Sequence, residues 1–191
     1  QWPSSAASDV YKRQNKISTL KKLSKTNEEQ ILKYWEGLGY YRRARHLLAT
    51  SKIIIKEKNS ILPKTLPELK KLPGIGDYTG NALLGLVYNQ PRIALDGNVK
   101  RIFSRLINKR ENKINFEKFV TKNRKKLFYS KRNSDFVEAI MEFGSLVCKP
   151  KDPHCNICIF KKFCKFKKSN TKNKLTSPIN SIWSITFAFF L

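Results

Sequence analysis

Cys148, Cys155, Cys158 and Cys164 are the only cysteines of the chain, spaced C-x6-C-x2-C-x5-C. Four thiols drawn from so short a stretch can converge on one metal centre. Zinc sites built from four cysteines usually pair two short knuckles. Here a single C-x2-C occurs, and the uneven spacing suits a four-thiolate iron–sulfur cluster at least as well. Disulfides are the third reading, but nothing has the pattern of a secretory signal and core-forming residues are ample elsewhere. A second chemical feature lies upstream, in Leu72 to Arg101, which reads LPGIGDYTGNALLGLVYNQPRIALDGNVKR. Its Gly74, Ile75 and Gly76 form a glycine-rich turn directly ahead of a helical pattern. Glycines let the backbone turn tightly there, and free N–H groups at a helix start bind anions such as phosphate. The same turn is also ordinary geometry for two helices joined end to end. Beyond it stands Asp96 in Asp-Gly-Asn, a carboxylate at a position that equally suits a turn or helix cap.

The elements that must position these groups are helices, so the expected fold class is all-α. Thr26 with Glu29 has capping-box spacing, predicting a helix through Trp35. Gly37 and Gly39 break it, and a second helix follows from about Tyr40 with Ala44, Leu47 and Leu48 inward. Thr65 with Glu68 opens a short helix that runs into the glycine turn. After that turn, Ala82, Leu83, Leu86 and Val87 fall on one helical face. Past Asp96-Gly97 a further helix places Val99, Ile102, Phe103 and Leu106 on one side. Helical stretches near Phe116 to Phe128 and Asp135 to Val147 lead into the cysteine segment. Residues 1–14 lack periodicity and read as a non-native or disordered leader. Ser169 to Lys174 reads as a polar linker, and Ile185 to Leu191 as the beginning of a strand.

Composition agrees with a polyanionic partner. The 191 residues carry 39 Lys+Arg against 14 Asp+Glu, a net charge of +25 with pI near 10.1. DNA is the default candidate for such a balance, with a lysine-rich solvated surface as the plainer reading. No apolar run reaches the roughly 20 residues a membrane span needs. Free thiols without a recognisable signal peptide point to a cytoplasmic protein, nucleoid-associated if bacterial.

The hairpin LPGIGDYTG, the LDGNVKR after it, the WEGLGYYRRAR of Trp35 to Arg45 and the cysteine spacing occur in one order. In that order they resemble the adenine DNA glycosylases of the endonuclease III, helix-hairpin-helix superfamily, over about Lys16 to Lys168. The resemblance implies a six-helix barrel subdomain over residues 15–106 and a [4Fe-4S] cluster subdomain over residues 107–168. It implies Cys148, Cys155, Cys158 and Cys164 as cluster ligands, and favours the cluster over zinc. A truncated C-terminal domain would begin within residues 169–191. The implied substrate is double-stranded DNA bearing an 8-oxoguanine:adenine or guanine:adenine mispair, bound by a monomer.

Cleaving an N-glycosidic bond passes through a sugar with oxocarbenium character, which calls for an acid at the leaving base and a carboxylate beneath the sugar. The resemblance assigns the second role to Asp96, with Tyr78 and Asn98 helping to position it. Bifunctional relatives carry a lysine at the position of Tyr78, whose amine forms a Schiff base and allows strand cleavage. Tyrosine cannot form an imine, so the implied reaction is base hydrolysis alone. Flipping the adenine out of the stack is required for access, and Leu38, Gly39 and Tyr40 match the loop that wedges into the duplex. Gly74, Ile75 and Gly76 would hold the DNA backbone. The chain has no Leu-Gln-Gln-Thr-type motif, near which the family's catalytic Glu lies, so it is expected to be impaired in excision. Two other readings remain, a bifunctional glycosylase/lyase and a non-catalytic DNA-binding metal module.

Overall fold

A computed structural model describes residues 17–128 and 131–169. Within them the chain is helical and contains no strand. It divides into two compact units, the first ending at Gly80 and the second beginning at Asn81. The expected leader, linker and strand fall mostly outside the described residues.

The first unit opens with α1 (Leu20–Lys25) and α2 (Glu28–Tyr34), both packed on α3 (Arg42–Glu57). The capping box lies one residue later than the Thr26–Glu29 spacing predicts. The Asn27 carboxamide accepts from the Gln30 N–H at 2.8 Å, and the Gln30 side chain accepts from the Asn27 N–H. Thr26 is already engaged at the end of α1, donating its hydroxyl to the Lys22 carbonyl. Asparagine is also the stronger cap. Sequence pattern had not anticipated α1, a six-residue helix with a single buried side chain, Leu23. Leu23, Ile31, Trp35, Ala44 and Leu48 form the core, with Leu38 and Leu47 packed against it.

The short α4 (Leu66–Leu69) and α5 (Asp77–Leu86) flank the glycine turn. Thr65 does not cap the α4 backbone; its hydroxyl donates to the Glu68 carboxylate at 2.8 Å. A Cβ at Gly80 would meet Leu66 Cδ1 at 2.5 Å, a contact the Leu66 methyl would have to move to relieve.

The second unit is built on α6 (Gly97–Ile107), which packs against α8 (Asn133–Leu146) and α9 (Lys165–Lys168). Between them run a 3-10 turn (Glu111–Lys113) and α7 (Phe116–Leu127). Val99, Ile102 and Phe103 are buried on α6, and Val137, Ile140 and Met141 are buried on α8. Phe103 stacks on Phe119 with ring centroids 5.1 Å apart. On α5 the buried pair is Leu83 and Leu84, whereas Val87 is 55% exposed. The helix ends at Leu86, before the periodicity can turn Val87 inward. Beyond it Asn89, at φ 51°, clasps the start of α8. Its side chain donates to Lys131 O at 2.7 Å and accepts from the Ser134 N–H at 3.0 Å, while its carbonyl accepts from Asn133 Nδ2 at 2.8 Å.

Candidate functional site

Asp96 caps α6. Its Oδ1 accepts from the Val99 N–H at 2.7 Å and its Oδ2 from Asn98 Nδ2 at 3.1 Å. The helix-cap expectation for Asp96 is thus met. Burial pushes the Asp96 carboxyl above the usual carboxylate range, opposed by Val99, Asn98 and the Arg101 charge. Desolvation outweighs the donors because the site faces protein on most sides.

Asn98 is held in turn by Arg101, whose Nη2 donates to Asn98 Oδ1 at 2.7 Å and to Gly144 O at 2.6 Å. Arg101 Nε donates to Cys148 O at 2.8 Å. One turn on, Arg105 donates to Lys149 O at 2.6 Å and Pro150 O at 2.9 Å, and its Nη1 lies 3.4 Å from Cys148 Sγ. Both guanidinium groups are buried, Arg101 at 3% exposure and Arg105 at 6%. Arg101 and Arg105 are the residues sequence reading missed. The only available signal was two arginines four apart on a helix that also carries Val99, Ile102 and Phe103, and it does not separate a buried pair with carbonyl partners from a solvated one.

Cys148, Cys155, Cys158 and Cys164 line one solvent-open cavity, together with Arg105, Val147 and Phe166. Burial pushes the Cys158 thiol up; the Phe160 N–H opposes this, and the other three cysteines add to it. Four soft thiols crowding one cavity beside a guanidinium are a donor set that suits a cationic centre. Among the described residues no three His, Cys, Asp or Glu side chains stand close enough to hold a single metal ion. A lone tetrahedral zinc needs its sulfurs about 2.3 Å from one point. His154, in the loop between the first two cysteines, is exposed.

The remaining expected residues lie in the first unit. Gly37, Gly39 and Tyr40 all have positive φ, at 80°, 64° and 49°. The Trp35 indole, itself buried, donates to Gly39 O at 3.0 Å and fixes this loop. Tyr40 projects outward at 64% exposure, with the Arg43 guanidinium 5.3 Å from its ring centroid and 5.7 Å from that of Trp35. A tyrosine held left-handed costs on the order of 1–3 kcal/mol, the kind of strain found at binding loops. Leu38 instead faces the core. In the glycine turn, Gly74 and Gly76 are exposed and Ile75 partly buried. Gly74 has φ 77°, and a Cβ there would strike the His46 ring at 2.6 Å. From the next turn of α3, the Thr50 hydroxyl donates to Pro73 O at 2.9 Å. Tyr78, in the first turn of α5, is partly buried.

Residues 3–126 match the family described as HhH-GPD superfamily base excision DNA repair protein. The chain belongs to this superfamily. An adenine DNA glycosylase of Buchnera aphidicola subsp. Baizongia pistaciae is 38% identical over 153 residues, covering 80% of this chain and 43% of the relative. The adenine DNA glycosylase of Homo sapiens is 30% identical over 163 residues, covering 84% of this chain and 30% of that protein. The chain thus spans less than half the length of these curated relatives. Among solved structures, a thermostable thymine-DNA glycosylase shares the fold with a TM-score of 0.74 at 24% identity, covering 84% of this chain and 75% of that one. A non-covalent endonuclease III–DNA complex follows at 0.66 and 27% identity, with the same coverage. No helix among the described residues is long and apolar enough to cross a membrane.

Proposed function

We propose that this chain is the helical catalytic region of a monofunctional adenine DNA glycosylase acting on adenine opposite 8-oxoguanine or guanine in duplex DNA. The observation that carries the reading is Asp96, a partly buried carboxylate fixed by Val99 and Asn98 and kept short of solvent. Such a carboxylate is poorly stabilised at rest. A positive charge developing on the deoxyribose would compensate it, so the interaction is stronger in the transition state than in the ground state. Asn98 and the Val99 N–H orient the oxygens so that no reorganisation is needed. Tyr78 supplies no amine, which leaves water as the acceptor of the sugar and rules against a Schiff-base adduct.

Tyr40 on its strained loop is suited to enter the stack where the adenine leaves, with Gly74 and Gly76 presenting backbone N–H groups to a phosphate while the Ile75 N–H closes the turn on Leu72 O at 3.2 Å. The four-cysteine cavity fits a [4Fe-4S] cluster, which would act as a structural cross-link of Cys148, Cys155, Cys158 and Cys164. The domain division that accompanies this reading puts the hairpin-bearing helices in residues 15–106 and the cluster segment in residues 107–168. A monomer working on cytoplasmic or nucleoid DNA completes the proposal.

Single-turnover release of adenine from an 8-oxoguanine:adenine duplex tests it. Asp96→Asn is expected to lower the rate by about 10²–10⁴-fold, and borohydride is expected to trap no protein–DNA adduct. A trapped adduct would favour the lyase reading, and an unchanged rate in Asp96→Asn would remove Asp96 from the chemistry.

A further inference from the structure

Gly144 occupies the last turn of α8, facing the first turn of α6. A methyl group on it would lie 2.5 Å from Asn98 Cβ, 3.2 Å from Asn98 Cα and 3.3 Å from Asn98 Cγ. Two of those atoms belong to or adjoin the backbone, so no change of rotamer clears the contact. The first turn of α6 itself would have to move. The backbone at Gly144 is helical and is not among the positive-φ glycines Gly37, Gly39 and Gly74. Its conformation therefore does not require glycine; the space does.

The same residue also meets the polar network from the other side. Gly144 O accepts from Arg101 Nη2 at 2.6 Å, and that nitrogen donates to Asn98 Oδ1 at 2.7 Å. Asn98 then gives its Nδ2 hydrogen to Asp96 Oδ2 at 3.1 Å. Asn98 is thus trapped between the bare face of Gly144 and the guanidinium of Arg101, with its amide oxygen and nitrogen assigned by their partners.

We infer that Gly144 is a positioning residue for Asp96: by letting α8 touch Asn98, it sets where the first turn of α6 stands and so holds the carboxamide on the carboxylate. The inference rests on reading Asp96 as the carboxylate that serves the sugar. Any side chain at position 144 would displace Asn98, remove one donor from Asp96 and leave burial less opposed.

The test is a carbon-13 NMR titration of carboxyl-labelled aspartate in the full chain, with the Asp96 signal assigned by its loss in Asp96→Asn. Gly144→Ala is expected to move the Asp96 titration upward. Asn98→Ala should produce a similar upward shift, and the Gly144→Ala, Asn98→Ala pair no more than either alone, because both changes act on one contact. An unchanged Asp96 titration in folded Gly144→Ala, or shifts that simply add, would overturn the inference. Should Gly144→Ala fail to fold, adding Asn98→Gly removes the struck Cβ and is expected to restore folding; no restoration would count against it. The titration needs no turnover, so its outcome is separate from whether Asp96→Asn abolishes adenine release.

Discussion

Asp96 carries opposed demands, and their balance can be measured. Its folded-state carboxyl titrates above that of an unfolded aspartate, near about 3.9, because burial dominates. A raised carboxyl means the folded state holds its proton more tightly, so the stability it contributes is present below the unfolded value and is lost as pH rises through the folded one. At neutral pH the ionised form works against folding. Asp96→Asn keeps an N-cap acceptor and is expected to raise the melting temperature at pH 7, the gain shrinking as pH falls towards about 4. Thermal melts across that range check it. Tyr40 makes the complementary case. It is 64% exposed, so Tyr40→Ala should leave stability nearly unchanged. It should weaken binding to a duplex holding an abasic-site analogue by about 1–3 kcal/mol, the worth of one aromatic–base stack. Equal affinity by fluorescence anisotropy would remove Tyr40 from the interface.

At the scale of elements, α6 links the carboxylate at its start to the cysteine loop through Arg101 and Arg105. Arg101→Met would leave Gly144 O and Asn98 Oδ1 without their Arg101 donor, and Cys148 O with only the longer bond from Arg105 at 3.4 Å. Each orphaned buried acceptor costs about 1–3 kcal/mol, so urea unfolding should show a loss of several kcal/mol on the same scale. Iron content per chain after purification should fall alongside it. Much of this element was legible in the sequence. The apolar spacing of Val99, Ile102 and Phe103 and the turn signal at Asp96-Gly97 give the helix and its start. Its charged inner face was not legible, because an arginine buried against carbonyls and one facing water look alike until the partner loop is placed. The capping box at Asn27 was misread by one residue for a related reason: two adjacent candidates compete, and Thr26 was already spent on α1. Val87 shows the limit of periodicity, which cannot say where a helix stops.

For the molecule as a whole, a net charge of +25 makes duplex affinity a matter of ions as well as shape. Log affinity is expected to fall linearly with log salt, with a slope of about 0.9 per phosphate neutralised. A flat response between 50 and 200 mM salt would mean that the lysines merely solvate the surface. The motifs that gave the family away were legible because each is local and short. The Asn98–Gly144 contact was not, since its partners stand far apart in sequence and only folding joins them. The Asn89 clasp has the same property, and it bears on the order of events in time. Its three hydrogen bonds join residues separated by 42 to 45 positions, with α6 and α7 lying between. Closing so long a loop costs entropy that three surface bonds do not repay early in folding. The clasp should therefore snap shut after the barrier is crossed. Asn89→Ala would then quicken unfolding in stopped-flow measurements while leaving the refolding rate almost untouched.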